Sequence, residues 1–132
     1  MKDLTGKTAV ITGASRGIGA ATAAELAAAG ANVCLLARSE TQIIELANDI
    51  GPRAMARACY VADYAAVDAA IRAAQAAFGS VDILINNASA INLTNTENTP
   101  AKRFDLMMGV NTRGTFLTSQ AALPYLKKSA QE

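Results

Sequence analysis

Histidine is absent from all 132 residues. That removes an imidazole general base and most zinc designs at once. Only two cysteines occur, Cys34 and Cys59, isolated in apolar surroundings and without the paired spacing of a zinc site or disulfide framework. They read as buried free thiols of a reducing compartment. Aromatic residues make up 5% of the chain, and no basic stripe alternates with them, which argues against a single-strand nucleic-acid groove. Twelve basic residues meet eleven acidic ones for a net charge of +1, so neither sign dominates. Lys127-Lys128 is then a solvated helix end rather than a nucleic-acid contact. No apolar run reaches the roughly 18 residues needed to cross a bilayer. The first residues carry neither the pattern of a signal peptide nor that of a transit peptide. These absences together leave a cytoplasmic protein as the expectation, with no nucleic-acid or membrane partner and no metal.

What is present is apolar: 52% of the residues are hydrophobic, enough for a packed core and too many for a disordered chain. A length of 132 residues is one domain's worth, and small for an enzyme that uses a dinucleotide. The most informative stretch is Ala9-Val-Ile-Thr-Gly-Ala-Ser-Arg-Gly-Ile-Gly19. A short apolar strand runs into glycines at 13, 17 and 19, followed by an alanine-rich helical run. Gly13 can take the turn that ends the strand, and Gly17 and Gly19 keep Cβ atoms away from a ligand and from the sheet. The unpartnered N–H groups at the start of the helix then face a diphosphate at the positive end of the helix dipole.

The elements alternate along the chain. Strands are expected at Lys7–Thr12, Val33–Ala37, Ala54–Cys59 and Val81–Ile85, the third the weakest and the fourth the strongest after the first. Helices are expected from Ile18 to Ala29, closed by Gly30, and from Thr41 to Ile50, capped by Ser39. In the second of these Ile43, Leu46, Ala47 and Ile50 share one face. A third helix carries Val67, Ile71, Ala74 and Phe78 and stops at Gly79. The Asn- and Thr-rich stretch from Asn86 to Thr99 reads as a loop. A long helix follows from Pro100 to about Lys128, irregular around Gly109 and Gly114 and bent or ended by Pro124. Continuous apolar strands alternating with helices indicate an α/β fold, a three-layer Rossmann-type parallel sheet with right-handed crossovers. No second domain is visible, so residues 1–132 are read as a single dinucleotide-binding domain.

On these residues the chain resembles the short-chain dehydrogenase/reductases over essentially its whole length. Thr12-Gly13-Ala14-Ser15-Arg16-Gly17-Ile18-Gly19 matches the family's cofactor fingerprint, and Asn86-Asn87-Ala88 and Asn111 match its later motifs. The wording of 86–90 and 99–128 is most similar to the hydroxysteroid dehydrogenase-like members. The resemblance implies that Gly13, Ser15, Arg16, Gly17, Ile18 and Gly19 line the diphosphate and adenosine side. It puts Asp63 on the adenine amine and Asn86, Asn87 and Ala88 beside the adenosine ribose, with Asn111 organising the water and lysine of a proton relay. Ser89 stands where the family usually has glycine. Read from the residues alone, Asp63 also suits a helix cap, Asn86-Asn87 a polar stop to a buried strand, and Asn111 a bond to nearby backbone.

Cofactor choice turns on the end of the second strand. An acidic residue there would hold both ribose hydroxyls of NAD. This chain has Ala37-Arg38-Ser39 instead, with Arg16 able to approach the same corner. Two guanidinium groups suit a 2′-phosphate, so NADP(H) is expected over NAD(H), although Arg38 could also be a solvated residue at the strand tip. The resemblance further implies a carbonyl or alcohol substrate, a homo-oligomer, and a catalytic serine and Tyr-x-x-x-Lys. No Tyr-x-x-x-Lys spacing occurs, and Ser129 stands four residues after Tyr125. The expectation is therefore an incomplete Rossmann domain, truncated after the helix that follows the fourth strand and inactive by itself. The alternative is a non-catalytic nucleotide-binding or protein-interaction module, associating through the open edge of the fourth strand.

Overall fold

The computed structural model describes residues 3–131. Four strands, β1 (Thr8–Thr12), β2 (Asn32–Ala37), β3 (Ala54–Ala58) and β4 (Ile83–Ile85), form one sheet in the order β3-β2-β1-β4. Every pairing is parallel, with Thr8 opposite Asn32, Val33 opposite Ala54 and Ala9 opposite Ile83. Parallel neighbours require crossover helices. These are α1 (Gly17–Ala28), α2 (Glu40–Ile50) and α3 (Tyr64–Phe78).

Successive side chains of a strand point to opposite faces, so β1 and β2 feed two cores. Ala9, Ile11, Val33 and Leu35 pack with Ala23 and Ala27 of α1 and Ile43 of α2. Val10, Cys34 and Leu36 pack on the other face with Val67, Ile71 and Ala74 of α3. Both central strands are buried on both faces, which is why they read as unbroken apolar runs. The three-layer parallel α/β architecture expected from the sequence is the architecture found.

Several boundaries move for identifiable reasons. β4 is three residues long, not five, because the Asp82 side chain occupies the first position of its ladder: Thr8 N–H donates to Asp82 Oδ2 at 2.7 Å. Ser39 stands at the start of α2, but its hydroxyl makes no capping bond, and Glu40 in the first turn supplies the favourable negative charge. The loop after β4 contains a turn of 3₁₀ helix at Thr96–Asn98, held by Asn95 Oδ1 accepting from Asn98 N–H.

The long C-terminal helix is interrupted between the two glycines that flagged it. α4 (Ala101–Met108) passes into a π-helical segment, Gly109–Gly114, and then into α5 (Thr115–Ala130). Pro124 does not end α5, which continues to Ala130. Pro124 and Gln120 are exposed, so the carbonyl that proline leaves without a donor faces water. Ala122, Tyr125 and Leu126 meanwhile hold the helix against the core.

Candidate functional site

The C-terminal ends of β1, β2 and β4 and the turn after β3 converge on one cavity of about 390 Å³. Such a crevice lies where crossovers leave the sheet in opposite directions. Ser15, Arg16, Gly17 and Ile18 line it at the start of α1. The helix N-terminus has no side-chain cap and no acidic residue in its first turn. α3 differs: Asp63 Oδ1 accepts from Ala65 and Ala66 N–H at 3.1 and 3.4 Å. The free amides at the head of α1 are thus left to whatever occupies the cavity.

Each glycine has its own reason. Gly13 has φ +64°, and a Cβ there would stand 2.8 Å from Ala88 Cα. Gly17 has φ +60° with open space around it, so it is chosen for its backbone conformation and leaves the cavity clear. Gly19 does not line the cavity. A Cβ on Gly19 would lie 2.5 Å from Asn87 Nδ2 and closer still to the Gly13 carbonyl oxygen, so its absence lets α1 close onto the β1 and β4 ends.

Asn87 and Ala88 are held by three hydrogen bonds. The Asn87 backbone N–H and that of Ala88 both donate to Thr12 Oγ1 at 3.0 Å, and Asn87 Nδ2 donates to the Gly13 carbonyl at 3.0 Å. Thr12 is buried, and its hydroxyl donates in turn to the Ile85 carbonyl at 3.4 Å. One hydroxyl therefore joins the ends of the two strands below the glycine turn.

Of the residues expected to touch a cofactor, Gly13, Ser15, Arg16, Gly17, Ile18, Arg38, Asn87 and Ala88 line the cavity. Ser89 joins them. Asp63 is not among the lining residues; its Oδ1 caps α3. Asn86 turns away, with Nδ2 donating to Ser119 Oγ at 3.1 Å. Asn111 lies in the π-helical segment and clamps the loop after β4. Its Oδ1 accepts from Ala90 N–H and its Nδ2 donates to the Ala90 carbonyl, both at 2.8 Å. Sequence reasoning missed Cys59, Tyr60, Val61 and Val110. The signal available was topological: residues just after parallel strands meet at one end of the sheet. Among the described residues, no group of three or more His, Cys, Asp or Glu is placed to hold a metal, and no helix is long and apolar enough to cross a membrane.

A profile of the family described as short chain dehydrogenase matches residues 7–131. The chain belongs to the short-chain dehydrogenase family. Among curated relatives, it is 48% identical to the hydroxysteroid dehydrogenase-like protein 2 of Homo sapiens over 136 aligned residues, covering 96% of this chain and 32% of that protein. The corresponding protein of Xenopus tropicalis is 49% identical, with 33% of its length covered. The chain thus spans about a third of these short-chain dehydrogenase relatives.

Among solved structures, a 3-ketoacyl-(acyl-carrier-protein) reductase from Brucella melitensis complexed with NADH superposes with a TM-score of 0.92. It shares 37% identity, with 97% of this chain and 53% of that one covered. A short chain dehydrogenase from Burkholderia cenocepacia in complex with NADP gives 0.90 at 36% identity, covering 95% and 53%. The fold and the oxidoreductase family follow from these matches.

Proposed function

We propose that residues 1–132 are one dinucleotide-binding domain, the cofactor-holding half of an NADP(H)-dependent oxidoreductase that interconverts a carbonyl and an alcohol. The uncapped start of α1 carries this reading, opening with Gly13, Ser15, Arg16, Gly17 and Ile18 into a cavity that Arg38 also lines. The amides there bind a diphosphate, and Asn87 and Ala88, fixed through Thr12, form the wall beside it. Gly19 acts from behind that wall by letting α1 approach. Arg38 and Arg16 take the 2′-phosphate through charge-assisted bonds. When bound, the nicotinamide supplies or accepts the hydride.

Asn111 is a supporting residue. Its side chain is committed to Ala90, so it acts on a proton relay through the loop it holds or through its backbone carbonyl. The 132 residues contain no Tyr-x-x-x-Lys, and the proton donor that carbonyl reduction requires is not supplied by Tyr125, which packs against the core cluster. The chain by itself binds cofactor without turning substrate over. Asp63, which caps α3 through Oδ1, takes the adenine amine in this reading.

Calorimetric titration with NADPH and NADH tests it. NADPH should bind more tightly, and Arg38→Asp should weaken NADPH by about tenfold to a hundredfold, the scale of lost charge-assisted bonds, while changing NADH far less. Equal affinity for the two forms in the wild type would remove the 2′-phosphate assignment. Absence of binding to either would remove the nucleotide reading altogether.

A further inference from the structure

At the far edge of the sheet from β4, β3 pairs only with β2 among the described residues. Val33 N–H donates to the Arg53 carbonyl and Cys59 N–H to the Ala37 carbonyl, both at 2.8 Å. Odd-numbered residues along β3 therefore turn their backbone groups toward β2, and Ala54, Ala56 and Ala58 turn theirs outward. Ala54 N–H is already given to the Gly51 carbonyl at 3.0 Å. The Ala56 and Ala58 amides and the carbonyls of all three alanines are left facing out. Edge strands are commonly blunted by lysine, proline or a bulge. Here the residues that carry the outward groups have only a methyl side chain to shield them.

α2 forms a roof over this edge. Two hollows of about 350 and 330 Å³ lie between helix and strand, and Ile44 and Ala56 line both. Ile44 is 45% exposed. The first hollow continues to Ala47, Gly51 and Ala54 and is largely apolar. The second is bounded by Glu40, Arg57 and Ala58. Ala54 and Ala56 pack on the α2 side of the sheet and Met55 on the α3 side, so alternation sends the Arg57 side chain to the α3 side as well. Glu40 is then the charge that faces the groove. α2 carries Glu40, Glu45 and Asp49 and no Lys or Arg. Among the described residues the one ion pair is Arg72 with Asp68, so the acidic charge of the roof is uncompensated.

We infer that this groove takes an extended basic segment of another protein, added as a further strand along β3, with an aliphatic side chain in one hollow and a lysine or arginine beside Glu40 in the other. Backbone bonds to Ala56 and Ala58 supply affinity, and the hollows read alternate side chains. They flank Ala56, so residues two apart on one face of a strand fill them. The roof also selects the occupant. A second copy of the chain would bring its own acidic α2 against this one, whereas a lone strand brings no helix. An acidic roof attracts a basic segment and repels an acidic one. None of this depends on the nucleotide reading.

The test is an amide-resolved NMR titration of the full chain with two short capped peptides. One alternates threonine with valine and lysine, the other threonine with valine and glutamate. The lysine peptide should shift and protect the Ala56 and Ala58 amides and, at low salt, bind about tenfold more tightly than the glutamate peptide. Glu40→Gln should erase most of that preference. Ala56→Pro removes an outward N–H that the sheet does not use, and should weaken the lysine peptide by about tenfold while amide exchange in β1 and β2 stays as in wild type. Should that chain fail to fold, Ile44→Ser, at an exposed position, should weaken the peptide by about threefold. Absent shifts, shifts confined to β4, equal affinities for the two peptides, or unchanged binding in the variants overturns the inference. So does protection of the Ala56 and Ala58 amides that rises with chain concentration without peptide, which would give the edge to a second copy.

Discussion

At Gly19 a single missing methyl group decides how closely a helix can approach a sheet. The position has ordinary helical backbone, so conformation does not demand glycine there; space does, because Asn87 Nδ2 and the Gly13 carbonyl occupy the volume a Cβ would need. Gly19→Ala should therefore destabilise the fold by about 1–3 kcal/mol through overpacking and lower NADPH affinity, measured by denaturant unfolding and titration. Retention of both wild-type values would show that α1 can shift at no cost. The three glycines were legible as a phosphate turn from their spacing after an apolar strand. The clearances at Gly13 and Gly19 were not, because they depend on Asn87 and Ala88, far along the chain. Asp63 shows the same limit: a carboxylate after a strand suits a base contact or a helix cap, and only the structure places its Oδ1 on the Ala65 and Ala66 amides.

Between elements, Thr12 is the hinge of the site. Its hydroxyl accepts from the Asn87 and Ala88 amides and donates to the Ile85 carbonyl, in a place closed to water. Thr12→Val keeps the shape and leaves two amide donors without their acceptor, a cost of about 1–3 kcal/mol. Thr12→Ser should recover most of it. Paired unfolding curves check this, and equal stabilities for the three chains would mean that the loop finds other acceptors. The π-helical segment is a second joint. Gly114 lies against Val61, and Arg113 Nε donates to the Ala62 carbonyl at 3.2 Å. The same segment carries Val110 on the cavity and Asn111 on Ala90. Glycines at 109 and 114 announced an irregularity, since each weakens helix propensity. The kind of irregularity was set by packing on the turn after β3.

Across the whole molecule, the end of the sheet opposite the cavity is fastened by Asp82. Its Oδ2 accepts from Thr8 N–H and Ser80 Oγ, both at 2.7 Å, and its Oδ1 accepts from Ser129 near the end of α5. Partial burial pushes this carboxyl up. The Ser129, Ser80 and Thr8 bonds and the Lys7 charge outweigh that and hold it below its ordinary value of 3.8. A depressed folded-state pKa contributes stability that is fully present above the unfolded value and is lost as pH falls through the folded one. Asp82→Asn should therefore be less stable than wild type at neutral pH, and the gap should close below about pH 3.8. A gap independent of pH would mean that the amide and the carboxylate serve equally.

β4 pairs only with β1 among the described residues, leaving an edge whose strand residues Ile83, Leu84 and Ile85 are half-buried. An unpaired apolar edge recruits another strand. We therefore expect the chain to associate, with light scattering giving a concentration-dependent mass above 13.6 kDa. A constant monomer mass across concentration would remove the homo-oligomer proposal for this chain.

Periodicity and apolar runs determined the order of the elements and the parallel α/β sheet, because burial on both faces leaves a strand no polar positions to alternate. The glycine spacing determined where an anion would sit, since free amides at a helix start follow from local backbone alone. The tertiary structure decided which side chains share the cavity. It brought in Tyr60, Cys59 and Val110, shortened β4 through the Asp82 side chain, and carried α5 past Pro124. Each of these depends on contacts between residues distant in sequence, where a hydrogen-bond partner or a packed neighbour outweighs local preference.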